Sequence, residues 1–125
     1  MKEIKIQSTI YVFDTLEELP KDIVLLMNKA IEAREKAYAP YSNFNVGAAL
    51  LLDNNEIITG SNQENASYPS GLCAERTAIY YANSQYPNNR IVRMAISAGS
   101  KKNKTTSPIP PCGACRQAIA EYEVK

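Results

Sequence analysis

Histidine is absent from this 125-residue chain. That absence excludes every mechanism built on an imidazole: Ser-His and Cys-His nucleophiles, and all His-ligated metal sites. Whatever chemistry the chain performs must run on cysteine, carboxylates, lysine, arginine or tyrosine. Cysteine is scarce too. Three residues, an odd number, argue against a disulfide framework in a reducing compartment. No stretch approaches the roughly 20 apolar residues that a bilayer span requires. The richest, Ile23–Met27 and Val46–Leu52, have the length of core elements. Neither sign of charge dominates, since 14 Lys plus Arg face 13 Asp plus Glu for a net charge of +1. There is no basic track for nucleic acid and no patch for an acidic membrane. The start, Met1-Lys2-Glu3-Ile4-Lys5, lacks the apolar segment of a signal peptide, so the cytoplasm is the expected location. Repeats and low-complexity tracts are missing as well.

What is present fits one ordinary folded domain. Apolar residues make up 45% and charged residues 22%, which is incompatible with a disordered chain. At roughly 100–200 residues per domain, there is no room for a second. Ile4, Ile6, Ile10 and Val12 keep a two-residue period and predict a strand. Asp14 with Glu17, or Thr15 with Glu18, offers a capping pattern for a short helical turn that Pro20 interrupts. Ile23, Met27, Ala30, Ile31 and Ala37 predict an amphipathic helix over residues 21–37, ended by Pro40. Val46–Leu52 is almost wholly apolar and predicts a strand covered on both faces; the turn Asp53-Asn54-Asn55 leads into its hairpin partner, residues 56–60. A second helix is expected from Cys73 to about Ser84, a strand over Ile91–Ala98, and a last helix from Cys112 to the end. The order β-α-β-β-α-β-α implies an α/β fold with helices packed on the faces of a sheet.

The cysteines fall at Cys73, Cys112 and Cys115, the last two as Cys112-Gly113-Ala114-Cys115. A C-x-x-C alone is ambiguous. Buried free thiols and a thioredoxin-like redox pair are both alternatives. Position favours a metal, because Cys73 and Cys112 each stand at a predicted helix start, where free N–H groups and the helix dipole favour thiolates. Two helix ends facing each other would present three thiolates to one cation. Three protein ligands with an open fourth position is the arrangement of catalytic zinc, whereas structural zinc normally takes four. Glu75, in the first turn after Cys73, would face that open position. Arg76, three residues after Cys73, shares its helical face. Three thiolates leave Zn²⁺ with a net charge of −1, and an arginine donating to them offsets part of it.

Cys73-Ala74-Glu75-Arg76-Thr77-Ala78 and Pro111-Cys112-Gly113-Ala114-Cys115-Arg116-Gln117 together resemble the small, homotetrameric cytidine deaminases. The resemblance extends to Tyr38-Ala39-Pro40-Tyr41-Ser42-Asn43-Phe44-Asn45-Val46-Gly47-Ala48-Ala49 and to Asn62-Gln63-Glu64-Asn65-Ala66-Ser67-Tyr68. It implies a three-layer α/β/α mixed sheet over residues 21–125, with residues 1–20 as an N-terminal extension. It also implies one Zn²⁺ per chain on Cys73, Cys112 and Cys115, with Glu75 as proton shuttle. Phe44 would stack on the pyrimidine, Asn62 and Glu64 would hold the ribose hydroxyls, and the Ala74 backbone would contact the base. Ala66 to Tyr68 would lie along the nucleoside pocket, partly serving a neighbouring subunit, and Arg76 and Gln117 would stand behind the zinc ligands. The implied reaction converts cytidine or deoxycytidine to the uridine counterpart with release of ammonia. Members of the family continue past the last matched helix with two further strands and a helical segment. The matched region alone is therefore expected to leave Ile91–Ala98 as a sheet edge. That gap makes a non-catalytic, zinc-stabilised binding module the alternative expectation.

Overall fold

The apolar run Val46–Leu52 is the middle of the molecule. In a computed structural model that describes residues 1–123, β1 (Phe44–Leu52) is flanked by β2 (Ile57–Ser61) and β3 (Ile91–Ser100). The strand order is β2-β1-β3. Side chains alternate along β1, and both faces are covered. Ala48, Leu50 and Leu52 pack with Ala74, Ala78, Ile79 and Ala82 of α2 (Ala74–Gln85) and with Ala118 of α3 (Gly113–Tyr122). Ala49 and Leu51 face the other way, against Leu26 and Ala30 of α1 (Lys21–Arg34). A strand buried on both sides has no position for a polar residue, which is why this run has none. Leu50, Leu52 and Ile79 are among the largest fully buried side chains. Burying each is worth about 1.5–3 kcal/mol.

The result is the expected α/β/α layering, with α1 on one face and α2 and α3 on the other. One part of the expectation is corrected: the sheet is not mixed among the described residues. β1 runs antiparallel to both neighbours, with Ala49 opposite Thr59 on one side and Ala95 on the other. A parallel pair needs a crossover between adjacent strands, and neither neighbour of β1 is joined to it in that direction. β3 is an edge strand, as expected.

Two glycines set how closely the layers meet. A Cβ on Gly47 would lie 2.0 Å from the Ala30 carbonyl oxygen, and one on Gly60 would lie 2.6 Å from the Ala78 nitrogen. Helix α1 is thus pressed onto β1, and α2 onto β2, backbone against backbone. Between β1 and β2, Asn55 takes a left-handed φ of 67° and the Asn54 side chain accepts a bond from the Glu56 N–H at 3.0 Å, closing the hairpin.

The N-terminal strand is a second correction. Residues 1–13 form no strand, and Ile6 and Val12 are 91% and 86% exposed. Alternation supplies a face but not a partner, and without a neighbouring strand the backbone groups stay with solvent. The short helical turn does form, at Leu16–Glu18, ahead of Pro20. No described helix is long and apolar enough to cross a membrane. The last two residues of the expected final helix lie outside the described residues.

Candidate active site

Two of the three cysteines begin helices. Cys73 is the N-cap of α2 and Cys112 the N-cap of α3, both with extended backbone, and Cys115 follows in the first turn of α3. The segment before Cys73 is pinned because Gln63 and Leu72 exchange backbone hydrogen bonds, each at 2.9 Å. The segment before Cys112 passes through Ile109, Pro110 and Pro111, then turns into α3, where the Arg116 N–H bonds the Cys112 carbonyl at 2.9 Å. Packing of α2 and α3 on the same face of the sheet brings the two helix starts together.

The three sulfurs lie within 4.8 Å of one another. Cys73 Sγ and Cys112 Sγ are 3.7 Å apart. Tetrahedral zinc at a Zn–S distance of ~2.3 Å sets its sulfurs about 3.8 Å apart. The Cys73–Cys112 pair matches that spacing, and the donor set suits the ion. The Cys115 N–H donates to Cys112 Sγ at 3.3 Å, which holds the Cys112 thiol below its ordinary value. Burial pushes the Cys115 thiol up to about 12. A divalent cation at the centre reverses that penalty, because coordination deprotonates a thiol outright.

Arg76 is built for such a cluster. Its Nη2 donates to Cys73 Sγ at 3.6 Å, and its Nε is buried without a partner among the described residues. Hydrogen bonding to Cys73 first, then to Cys115, raises the guanidinium pKa further, so it is a permanent cation against the sulfurs. Gln117, expected beside it, is exposed on α3 and does not line the cavity.

Glu75 is buried, 6% exposed, in the first turn of α2. It lines a cavity of about 540 Å³ together with Cys73, Ala74, Arg76 and Cys112. The wall of that cavity also includes Phe44, Asn62, Glu64 and Tyr68. The size suits a small organic molecule, for which pockets of about 300–1,000 Å³ are usual. Tyr68 stands at the rim, 87% exposed. Ala66 is exposed and not part of the lining, because Asn65 Oδ1 accepts the Ser67 N–H at 2.9 Å and turns this segment along the surface.

Asn62 and Glu64 already serve the chain itself. The Asn62 amide bonds both ends of one strand unit: its Oδ1 accepts from the Val46 N–H at 2.8 Å, and its Nδ2 donates to the Phe44 carbonyl at 2.9 Å. One amide N–H is left over. Glu64 Oε1 accepts from the Tyr41 and Ser42 N–H groups at 3.0 and 3.1 Å, and Oε2 from the Ser42 hydroxyl. These bonds, that of the Ser42 hydroxyl foremost, hold the Glu64 carboxyl below its usual range. Tyr41, Ser42, Val46, Leu72, Ile96 and Ile109 complete much of the lining. Periodicity gave no sign of them.

The arrangement matches known proteins along most of its length. The family model of the cytidine and deoxycytidylate deaminase zinc-binding region matches residues 20–125. A cytidine deaminase of Halalkalibacterium halodurans is 50% identical over 100 residues, covering 80% of this chain and 71% of that protein. The crystal structure of a cytidine deaminase from Burkholderia pseudomallei superposes with a TM-score of 0.69 at 46% identity, over 78% of this chain and 74% of that one. That of a cytidine deaminase from Mycobacterium tuberculosis gives 0.70 at 37% identity, over 82% and 79%. The matched region contains both helix starts and all three thiols, and the chain belongs to the cytidine and deoxycytidylate deaminase family.

Proposed function

We propose that the protein hydrolyses the exocyclic amine of cytidine and deoxycytidine, giving the uridine counterpart and ammonia. The observation that carries this reading is one cavity whose wall holds Cys73 and Cys112 of the three-sulfur cluster, a buried glutamate and an aromatic ring. Cys73, Cys112 and Cys115 would hold Zn²⁺. The bound ion supplies Lewis-acid chemistry that brings the pKa of a water from 15.7 towards about 7, less strongly with three thiolate ligands than with histidines. Glu75 takes one proton of the attacking water and delivers it to N3 of the ring. It then takes the second from the new C4 hydroxyl and passes it to the amine, which departs as ammonia as the C4 carbonyl forms. Transfers of this kind contribute about 10²–10⁴-fold. Arg76 withdraws charge from the thiolates. Phe44 stacks on the pyrimidine, and the backbone of Ala74 meets the base. The spare amide N–H of Asn62 and the remaining lone pair of Glu64 take the sugar hydroxyls.

The reading extends to residues 21–125 as the deaminase domain and residues 1–20 as an extension, consistent with the exposure of residues 1–13. It also places the chain in a cytoplasmic homotetramer serving pyrimidine salvage. In that assembly the segment from Ala66 to the exposed rim residue Tyr68 lies along the nucleoside pocket and partly serves a neighbouring subunit, with Gln117 behind the ligands.

Loss of cytidine absorbance, ammonia release and zinc content, measured on one sample, test the proposal. Glu75→Gln should keep about one zinc per chain and lose at least ~10²-fold in kcat. Zinc-loaded wild type without turnover would refute the activity. A Glu75→Gln variant within a few-fold of wild type would remove Glu75 from the proton path.

A further inference from the structure

The loop between α1 and β1 is held to the cavity wall by backbone bonds and by one side-chain hydroxyl. Tyr38 is fixed by backbone bonds to the 62–64 segment, its N–H to the Asn62 carbonyl at 2.9 Å and its carbonyl to the Glu64 N–H at 2.8 Å. Beyond it the chain turns through Asn43, which takes a left-handed φ of 55°. Ser42 sits at that turn, exposed. Its Oγ donates to Glu64 Oε2 and accepts from the Phe44 N–H at 3.1 Å. The Phe44 carbonyl is taken by Asn62 at 2.9 Å. Both polar groups of the Phe44 backbone therefore end on polar side chains of the cavity wall.

A carboxylate offers about four lone-pair sites. The chain fills three of those of Glu64: two from backbone N–H groups on Oε1 and one from Ser42 on Oε2. The vacant position is on the oxygen that Ser42 orients. Glutamate rotates about three side-chain torsions; the two N–H bonds anchor Oε1, and the hydroxyl is the one described hydrogen bond made to Oε2 itself. We propose that Ser42 is a positioning residue of the nucleoside pocket, whose hydroxyl aims one Glu64 oxygen at a sugar hydroxyl and, by the same atom, fixes the backbone of the ring platform Phe44. This assignment rests on the deaminase reading and deepens it, by making sugar recognition and base stacking depend on one side chain.

Steady-state kinetics with cytidine on wild type, Ser42→Ala and Ser42→Thr provide the test, with zinc content and thermal midpoint recorded for each. Ser42→Ala should raise KM about 10-fold, equivalent to about 1.4 kcal/mol, while kcat stays within about threefold, because the group touches neither the reacting carbon nor the metal ligands. Ser42→Thr keeps the hydroxyl and should bring KM back to within about threefold of wild type. The acid-side rise of KM should also begin at higher pH in Ser42→Ala, since its hydroxyl is the strongest influence lowering the Glu64 pKa. The assignment is overturned if KM in Ser42→Ala matches wild type, if kcat falls while KM does not move, or if Ser42→Thr is as impaired as Ser42→Ala. Loss of zinc from Ser42→Ala would also overturn it, by showing a general structural role. A zinc-loaded wild type that leaves cytidine unchanged would instead defeat the deaminase reading beneath it.

Discussion

One added methyl group at Gly60 measures how far the zinc ligands depend on the sheet. Gly60 lies in β2 opposite Ala48, and no glycine of the chain has a positive φ, so space rather than backbone conformation excludes a side chain there. A Cβ would stand 2.6 Å from the Ala78 nitrogen, 2.9 Å from the Ala74 carbonyl oxygen and 3.0 Å from the Ala78 Cα. Relaxed contacts lie near ~3.5 Å, so α2 must retreat by roughly 0.5–1 Å. All three obstructing atoms belong to the backbone, and no rotamer change relieves them. Overpacking of this kind costs about 1–3 kcal/mol, a loss that a domain stable by roughly 5–15 kcal/mol survives. Function is more sensitive. Ala74 lies between Cys73 and Glu75, and a displacement of ~1 Å at reacting groups costs about 10²-fold. Gly60→Ala should therefore unfold at lower urea concentration, bind zinc more weakly, and lose about 10²-fold in kcat/KM. Gly113→Ala is the internal control. It lies within the C-x-x-C, yet a Cβ there meets nothing within 4 Å. It should be neutral, or gain up to about 0.5 kcal/mol from helix propensity. A Gly60→Ala protein equal to wild type in all three assays would refute the reasoning, as would a Gly113→Ala protein equally damaged.

Arg76→Ala should reduce kcat by roughly 10–100-fold, the worth of one charge-assisted hydrogen bond. A competing chelator should find its zinc affinity less changed, and an unaltered kcat would show that the thiolates need no compensating charge. Glu64 sets an acid limit to stability. Its pKa is lowered on folding from 4.5, so its contribution is complete above that value and disappears as pH falls through the lower folded one. The difference in unfolding free energy between wild type and Glu64→Gln should thus be flat at neutral pH and shrink below about pH 4.5; a difference that stays constant into acid would contradict this.

Much of the layout was legible because it follows from periodicity. The α1 start at Lys21 and the doubly covered β1 are local consequences of where Leu, Ile and Ala fall. The helix ends earlier than its apolar spacing suggests, at Arg34 rather than Ala37. The Tyr38 N–H is claimed by the Asn62 carbonyl, and a partner 24 positions away leaves no trace in local spacing. For the same reason β1 begins at Phe44 instead of Val46, since the Asn62 side chain and the pairing with Ser100 extend it. The pattern over Ile4 to Val12 misled in the opposite sense, because alternation is necessary for a strand and not sufficient. In the site, the cysteines and Glu75 were readable from residue type at helix starts. Ser42 was not, because its role exists only once Glu64, 22 residues on, has been folded against it.

The ligand cluster also closes a ring in the chain. Cys73 and Cys112 are 39 residues apart, and α2, β3 and the proline-rich passage to α3 all lie between them. Treated as a covalent staple, closure of a loop of that length removes denatured-state freedom worth roughly 4 kcal/mol. Unlike a disulfide, this staple resists reductants and yields to chelators. The folded lifetime of the chain is therefore tied to the supply of free zinc, and starvation for the metal would expose it to proteolysis as well as silence it.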